Sequence, residues 1–203
     1  MQTLRPALVL VAVFTLLTGV AFPLAFVGLG QAVYPDQANG SLIRRDGQVI
    51  GSALIGQDFT SAWYFHPRPS ATSEPDPKDP SKTVPVPYAA DNSGASNLGP
   101  TSKALIDRVR GAAAALGAKP LPADAVTTSA SGLDPDISPV NAADQVARVA
   151  AARHVRPAAV EALLARQTRG RLFGFIGEPR VNVLRLNLAL DEAFPLRPAG
   201  RRQ

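Results

Sequence analysis

A run of small and polar residues, SGASNLGP at positions 93–100, comes directly before a stretch with helical spacing. Backbone amides at a helix N-terminus can hold a phosphate or a carboxylate. The Gly-Lys-Ser/Thr ending of a Walker loop is missing, since the nearest lysine comes later, at Lys103. A plain loop that caps the helix is the alternative interpretation. The residues that would form the anion or nucleotide loop are Ser93, Gly94, Ser96 and Asn97.

Two carboxylates, those of Asp134 and Asp136, stand two residues apart in the segment 129–139. Carboxylate oxygens suit a hard cation, but no further ligands follow at the spacing of a calcium loop. Turn and helix-cap roles account for Asp134, Asp136 and the nearby Ser138. We therefore expect no metal site here.

The chain contains two histidines, His66 and His154, that could serve as imidazole bases. A serine hydrolase would need one of them beside a serine held in a strained turn. No Gly-x-Ser-x-Gly motif occurs, and His66 lies in an aromatic run where a structural histidine accounts for the pattern. We therefore expect no catalytic residues in this chain.

The composition excludes several classes of function. There are no cysteines among the 203 residues, so a disulfide, a thiolate metal site and a cysteine nucleophile are ruled out. The net charge is +5, but lysine and arginine are scattered rather than clustered with aromatic residues on one face. This distribution argues against a nucleic-acid partner.

Near its N-terminus the chain has a long uncharged segment. Residues 6–35 carry no charged side chain, and about 20 apolar residues are enough to cross a bilayer as a helix. We expect one transmembrane helix, with Arg5 and the N-terminus in the cytoplasm and everything after Asp36 outside. A cleaved secretory signal is the alternative, and both interpretations export the remainder of the chain.

The sequence predicts three regions. They are a cytoplasmic N-terminus with the span at 1–35, one extracytoplasmic domain at 36–195, and a basic tail at 196–203. About 165 residues after the span suffice for a single compact domain with its own core.

One side of the predicted span has a repeating pattern. Residues at steps of three and four lie along one face of a helix, and small residues there would let a partner helix approach closely. Chance spacing in a chain rich in alanine and glycine is the alternative. The predicted interaction face consists of Ala12, Thr15, Gly19, Phe22 and Phe26.

Local signals after the span predict a mixture of strands and helices, and thus an α+β domain. The pair Asp46-Gly47 between short apolar runs predicts a hairpin over residues 41–52. Five prolines in residues 72–87 predict an exposed loop. Residues 181–186 are expected to form a β segment, with Asn187 capping a last short helix.

Three helices are expected between these segments, each from a cap or a proline at its start. The first is capped by Thr101 or Ser102 and ends at Gly117. The second runs from Ser138 to near His154, and the third begins at Pro157.

Several longer blocks of the sequence appear in a characteristic order. They are AFPL at 21–24, QANGSLI at 37–43, GSALIGQ at 51–57, YFHPRPSA at 64–71, SNLGP at 96–100, the segment 126–139, and VNVLRLNLALD at 181–191. Over nearly the whole chain, these blocks resemble the C subunit of the Kdp-type potassium-transporting ATPase. Two departures are Ala95, which replaces a glycine of the family's loop, and a longer proline-rich loop.

The resemblance implies a single-pass subunit of the cell inner membrane in a high-affinity, ATP-driven potassium importer, with its large domain periplasmic or extracellular. Its partners would be a channel-like potassium-binding subunit, a P-type ATPase catalytic subunit and a small companion peptide. The phosphorylated aspartate and the selectivity filter would belong to those partners. This chain would be a non-catalytic accessory subunit that stabilises the assembly.

The resemblance also implies a role as a catalytic chaperone that raises the ATP affinity of the pump subunit. It allows a transient encounter with ATP at that subunit and no tightly bound cofactor. The predicted topology conflicts with direct contact, because nucleotide is cytoplasmic and residues 93–100 are expected outside. An alternative from another class is a free exported binding module or hydrolase whose signal sequence has been cleaved.

Overall fold

The protein is described from a computed structural model, in which residues 3–117 and 120–196 are described. The chain forms two compact units, Met1–Ser52 and Ala53–Gln203, called unit 1 and unit 2 below. The predicted domain limits at residues 35 and 195 stay predictions. The predicted basic tail, apart from Leu196, lies outside the described residues.

Unit 1 begins with a long apolar helix. It consists of α1 (Leu4–Leu16), a π-helical turn (Leu17–Ala21) and α2 (Phe22–Val33). Together they make a 30-residue helix, Leu4–Val33, which contains an 18-residue window with a mean hydropathy of 2.4 and has no buried residue. Length and composition make this helix a candidate membrane span, as the sequence predicts. A short helix, α3 (Pro35–Ala38), follows it.

The π-helical turn has a local cause in Pro23. A proline inside a helix lacks the N–H for the regular ladder, and its ring meets the carbonyl four residues earlier, here that of Gly19. A wider turn relieves that conflict. The Thr18 Oγ1 donates to the carbonyl oxygen of Phe14 at 2.6 Å, which gives that oxygen another partner.

A hairpin of two antiparallel strands, β1 (Leu42–Arg45) and β2 (Gln48–Ser52), completes unit 1. Its two turn residues, Asp46 and Gly47, both have positive φ, at 50° and 79°. This is the geometry that an Asp-Gly pair adopts most readily in a tight hairpin, and it confirms the prediction for residues 41–52.

Unit 2 contains the remaining strands and helices. Three of its strands form an antiparallel sheet in the order β5-β7-β6. Together with unit 1, these elements confirm the predicted α+β class. In chain order the elements are β3 (Ser73–Asp76), β4 (Asp79–Pro85), α4 (Lys103–Leu116), α5 (Ala123–Val126), β5 (Asp136–Ile137), α6 (Pro139–Arg153), α7 (Pro157–Gln167), β6 (Thr168–Arg169), β7 (Arg180–Asn182) and α8 (Val183–Ala193).

The core of unit 2 lies among α6, α7, α8 and the small sheet. Helix α6 begins as predicted, because the Ser138 side chain accepts a hydrogen bond from the Asn141 backbone and Pro139 fits the first turn. It ends at Arg153 and is followed by the C-cap His154, whose φ of 56° is left-handed. The buried core residues include Phe65, Ala142, Val146, Val149, Val160, Leu164, Val181, Leu186 and Leu190.

The β segment predicted at residues 181–186 is wrong beyond its first two residues. Strand β7 ends at Asn182, and helix α8 starts at Val183. The cap is Asn182 rather than Asn187, since the Asn182 side chain accepts from the Arg185 backbone N–H at 3.0 Å. The β-branched valines favour a strand locally, but the capped helix buries Leu186 and Leu190 in the core.

The exposed loop predicted for residues 72–87 is also wrong, because β3 and β4 pair there as an antiparallel hairpin. In a two-stranded ribbon each strand has an open edge, where a proline without an N–H is tolerated. Pro75 pairs with Thr83, and Pro85 pairs with Ser73. The prolines therefore limit the hairpin to two strands rather than preventing it.

Candidate functional site

Some of the residues singled out by the sequence, Ser93, Gly94 and Asp134, meet in one part of unit 2, here called the loop cluster and made of residues 68–72, 93–94 and 128–134. The backbone N–H of Gly94 and the hydroxyl of Ser93 both donate to the carbonyl oxygen of Ser131, at 2.9 and 3.0 Å. The Ser70 hydroxyl donates to the carbonyl oxygen of Gly132 at 2.8 Å. Three separate segments are thereby joined through small polar side chains.

Gly132 is closely packed against the other segments of the loop cluster. Its φ of +70° is left-handed, and a Cβ there would lie 2.6 Å from both the Gly94 carbonyl oxygen and the Thr72 Cγ2. Its N–H donates to the Ser129 hydroxyl at 2.9 Å. Only glycine fits this position without displacing its neighbours.

Thr72 links the loop cluster to the β3–β4 hairpin. Its side chain is buried, and its hydroxyl donates to the carbonyl oxygen of Val86 at 2.6 Å. The Thr72 hydroxyl oxygen in turn accepts from the backbone N–H of Ala89 at 3.2 Å. The hydroxyl therefore satisfies two backbone groups at the point where the hairpin ends.

Arg68 carries the main charge of the loop cluster. Its Nη1 lies 2.8 Å from Oδ2 of Asp134, and its Nη2 donates to the Thr128 carbonyl oxygen at 3.4 Å. The buried Nε has no partner among the described residues. Because Asp134 compensates the charge of Arg68, the pair holds the segments 68–72 and 128–134 together rather than offering a free cation.

Tyr88 is hydrogen-bonded to the backbone of Arg68. Its hydroxyl donates to the Arg68 carbonyl oxygen at 2.8 Å. Burial, and then the charge of Asp134, raise the pKa of Tyr88 well above its usual value, so the hydroxyl remains a donor. A Cβ on Gly56 would lie 2.3 Å from the Tyr88 ring, so this glycine is also required by close contact.

An open depression of about 610 Å³ lies beside the loop cluster. Its polar groups are mainly those that already hold the loops to one another, and its remaining lining is apolar. This arrangement suits contact with a surface more than tight capture of a small anion. The lining consists of Leu54, Ile55, Arg68, Leu133, Asp134, Pro135 and residues 128–131.

The predicted anion or nucleotide loop is thus brought into the loop cluster in part. The Ser93 hydroxyl and the Gly94 N–H already donate to the Ser131 carbonyl oxygen, so they are not available to an anion in this conformation. Asn97 has a left-handed φ of 51°, and both Asn97 and Ser96 lie outside the cluster's segments. Ser102 stands at the N-cap of α4, although its side chain makes no capping hydrogen bond. The role of this loop in anion binding stays a prediction.

The two acidic residues have separate structural partners. The Oδ1 of Asp134 accepts from the backbone N–H of Asp136 at 3.0 Å, which is the predicted turn role. Asp136 lies 3.0 Å from Nε of Arg180, while burial, followed by the charge of Asp134, raises its pKa. In the part of the chain that is described, no group of three or more metal-binding side chains comes together.

His66 is held as a structural residue. Its backbone N–H donates to Oε1 of Gln145 at 2.7 Å, and its carbonyl oxygen accepts from Nε2 of Gln145 at 3.1 Å. The ring Nε2 lies 3.1 Å from the carbonyl oxygen of Ser61. Burial, and then the charge of Arg148, lower the pKa of His66. A neutral ring bonded to a backbone carbonyl is not placed to activate a serine.

A second arrangement fixes the aromatic segment 63–66 to helices α6 and α8; we call it the aromatic clamp. The Oδ1 of Asn187 accepts from the Phe65 N–H at 2.8 Å, and its Nδ2 donates to the Phe65 carbonyl oxygen at 3.0 Å. Both side chains are buried. One asparagine therefore satisfies both backbone polar groups of a buried residue in an irregular segment.

Arg153 is the charged part of the aromatic clamp. Its Nε donates to the Trp63 carbonyl oxygen at 2.8 Å, and its Nη2 bonds Oδ1 of Asp191 at 2.7 Å. Its guanidinium lies 5.1 Å from the centre of the Tyr64 ring. The signal for this role was its position four residues after Val149, on the apolar face of α6, where an arginine must find buried partners.

The five residues of the predicted interaction face lie on the long helix of unit 1 but not on one straight line. Ala12 and Thr15 precede the π-helical turn, Gly19 lies within it, and Phe22 and Phe26 follow it. A π turn rotates the residues after it by on the order of 90° relative to a regular α-helix. The rings of Phe22 and Phe26 lie 4.5 Å apart, as neighbours on one face.

Comparison with known proteins places these features in a family. A family model described as KdpC, K+-transporting ATPase, c chain, matches residues 4–192. The chain belongs to the KdpC family. A relative from Methylobacterium nodulans is 59% identical over 196 residues, which covers 95% of this chain and 98% of the relative. It is named potassium-transporting ATPase KdpC subunit.

Two further KdpC relatives show the same breadth of similarity. The one from Bradyrhizobium diazoefficiens is 58% identical over 197 residues, covering 95% of this chain and 98% of the relative. The one from Rhodopseudomonas palustris is also 58% identical over 197 residues, covering 95% and 99%. Both carry the name potassium-transporting ATPase KdpC subunit.

Three of the blocks that resemble the KdpC family supply residues of the loop cluster and the aromatic clamp. The block at 64–71 supplies Phe65 to the clamp and Arg68 to the loop cluster. The segment 126–139 supplies Gly132 and Asp134, and the block at 181–191 supplies Asn187. These blocks thus supply residues that hold separate segments of unit 2 together.

Proposed function

We propose that this chain is a non-catalytic accessory subunit of a high-affinity, ATP-driven potassium import complex. The observation that carries the proposal is the KdpC match over residues 4–192, together with relatives at nearly 60% identity that are named as subunits of a potassium-transporting ATPase. The match includes the candidate span and most of unit 2, so nearly the whole chain takes part in the similarity.

The way the polar side chains are used supports a non-catalytic role. Arg68 is paired with Asp134, and the ring of His66 bonds a backbone carbonyl. Ser93 and Gly94 bond Ser131. These residues are therefore occupied in holding unit 2 together, which supports a role in contact with other subunits.

The proposed partners are a channel-like potassium-binding subunit, a P-type ATPase catalytic subunit and a small companion peptide. The helix Leu4–Val33 would lie in the inner membrane as a single pass, with unit 2 on the periplasmic or extracellular side. The faces carrying Ala12, Thr15 and Gly19, and Phe22 and Phe26, would contact membrane helices of these partners.

An effect on ATP affinity would be indirect in this proposal. With unit 2 outside, no tightly bound cofactor is required, and any transient ATP would be bound by the pump subunit. Binding of this chain would then change nucleotide affinity as a coupling free energy between two distant sites.

Copurification from membranes tests the proposed assembly. The tagged full chain is extracted in mild detergent, and the proteins recovered with it are identified. We expect the potassium pump subunits to be recovered with the wild-type chain and less of them with Gly19→Leu, because a large side chain in the π turn keeps a partner helix away. Gly28→Leu is the matched control, since Gly28 also has open space around it.

Recovery of the chain by itself, with a mature N-terminus beyond residue 32, would instead identify a cleaved and freely exported protein. Equal recovery of the pump subunits with both glycine variants would contradict the proposed contact at Gly19, although it would still support the proposed assembly.

A further inference from the structure

An unusual set of exposed apolar side chains lies between β6 and β7, at residues 172–176, here called the apolar turn. Phe173 is 80% exposed and Phe175 is 73% exposed, and they are flanked by Leu172 at 59% and Ile176 at 50%. Single exposed apolar residues are common on protein surfaces, but four of them together mark an interaction site.

The apolar turn is closed by its own backbone. The N–H of Leu172 donates to the Ile176 carbonyl oxygen at 2.9 Å, and the N–H of Ile176 donates to the Leu172 carbonyl oxygen at 3.0 Å. Phe173 and Gly174 have left-handed φ values of 52° and 82°. Because the turn satisfies its own polar groups, its side chains are free to make contacts elsewhere.

Arginines surround the base of the apolar turn. Arg169 and Arg180 stand opposite each other where β6 pairs with β7, and Arg171 immediately precedes the turn. Arg171 bonds Glu178 at 2.8 and 3.0 Å, and Arg180 bonds Asp136. Three arginines thus face two carboxylates, so the base carries a small positive excess behind an apolar tip.

We propose that the apolar turn inserts into the interfacial layer of the lipid bilayer that anchors this chain. The aromatic side chains at the tip would meet the apolar acyl chains of the bilayer, and the arginines behind them would lie at the level of the charged lipid headgroups. Binding rests mainly on the apolar side chains, since most of the arginine charge is compensated by Glu178 and Asp136.

The size of the apolar turn favours lipid over a protein partner. A specific protein interface uses about 20–30 residues on each side, whereas the turn offers four side chains on a tip. The candidate span Leu4–Val33 tethers unit 2 to a bilayer, and such a tether gives weak insertion a high effective concentration. The proposal rests on retention of the span in the membrane, and it does not depend on which subunits join the chain.

Fluorescence quenching in liposomes tests the proposal on the full-length chain. The chain has one tryptophan, Trp63, which is replaced by phenylalanine so that a new tryptophan can serve as the only reporter. The probe chain carries Phe173→Trp, and the control chain carries Val140→Trp, at an apolar position of α6 that is 62% exposed. Both are reconstituted in neutral lipid with or without acyl chains brominated near the headgroup.

We expect brominated lipid to reduce the emission of the Phe173→Trp probe at least twofold and to leave the Val140→Trp control nearly unchanged. Equal emission from the probe in both lipids would overturn the proposal. A change in the emission of the probe that appears only after the potassium pump subunits are added would also overturn the proposal, since a protein would then cover the turn.

A second variant separates insertion from folding. Adding Phe175→Glu to the Phe173→Trp chain places a charge in the tip, where the side chain makes no core contact. We expect quenching to fall to the control level while circular dichroism and the unfolding midpoint remain those of the parent. Quenching that survives this substitution would contradict insertion of the tip.

Discussion

Phe65 and Phe173 both lie in irregular segments of unit 2, yet Phe65 is fully buried and Phe173 is largely exposed. Asn187 satisfies both backbone polar groups of Phe65, so its ring can enter the core without leaving an unpaired N–H or carbonyl. The turn at Phe173 closes on its own backbone and leaves the ring outside. An irregular segment is thus buried only where other elements supply dedicated polar partners.

The largest expected effect comes from breaking the aromatic clamp at its buried charge. Arg153→Met removes the guanidinium that bonds the Trp63 carbonyl oxygen and compensates the charge of Asp191, whose carboxylate keeps the hydrogen bond from the Tyr64 hydroxyl. We expect the free energy of unfolding to fall by about 4 kcal/mol. Urea unfolding of the full chain in detergent, followed by circular dichroism, measures this loss.

Arg166→Met is the control for Arg153→Met, because Arg166 is an exposed arginine near the end of α7. It should change the stability by less than about 0.5 kcal/mol. Similar losses from the two variants would show that the buried ion pair does not hold the segment.

A smaller loss is expected from the neutral part of the aromatic clamp. Asn187→Leu keeps a side chain of similar size but leaves the N–H and carbonyl of Phe65 unpaired in the core. We expect a cost of about 3 kcal/mol by the same unfolding measurement. Glu192→Leu, at an exposed position of the same helix, should be nearly neutral, and a neutral Asn187→Leu would contradict the role given to the asparagine.

The loop cluster is tested by Gly132→Ala. The new Cβ would combine a left-handed φ with contacts of 2.6 Å to the Gly94 carbonyl oxygen and Thr72. We expect a loss of about 2 to 3 kcal/mol, seen as a lower unfolding midpoint. Gly177→Ala has a similar φ of +79° but open space around it, so it should cost about 1 kcal/mol. Equal losses would mean that close contact adds nothing at Gly132.

The pH dependence of stability gives a finer test of the aromatic segment 63–66. Because burial lowers the pKa of His66, the folded chain binds fewer protons at this residue than the unfolded chain does. The contribution of neutral His66 to the free energy of unfolding is complete above pH about 6.5 and is lost as the pH falls below that value. Unfolding of His66→Gln should therefore depend less on pH between about 7.5 and 5.5 than unfolding of the wild type. An equally steep dependence would assign the effect to other groups.

The smallest effect on stability is expected in the apolar turn. Phe173→Ser should change the unfolding free energy by less than about 0.5 kcal/mol, since the ring makes little contact with the rest of unit 2. Thermal unfolding in detergent measures this directly. A loss comparable to that of Asn187→Leu would mean that the turn belongs to the core and that its contrast with Phe65 is false.

The parts of the fold that sequence predicted correctly depend on local signals. Asp46 and Gly47 define their turn by backbone preference, and Ser138 followed by Pro139 defines the start of α6. The long apolar helix is fixed by length and hydropathy. Each of these signals is complete within a few neighbouring residues or one uninterrupted segment.

The parts that sequence missed depend on distant partners. Asn187 bonds a backbone 122 residues away, and nothing near it marks that partner. The valines before it favour a strand, while burial of Leu186 and Leu190 favours the observed helix. The sequence did identify most segments of the loop cluster, but it could not show that Ser93 and Gly94 would bond Ser131.

Potassium-stimulated ATP hydrolysis by the purified pump complex, prepared with and without this chain, tests the proposed function most directly. We predict that the chain alone hydrolyses no ATP, that the complex lacking it loses most of its potassium-stimulated activity, and that adding the full chain back restores it. ATP hydrolysis by the isolated chain, or full activity of the complex without it, would contradict a non-catalytic accessory role.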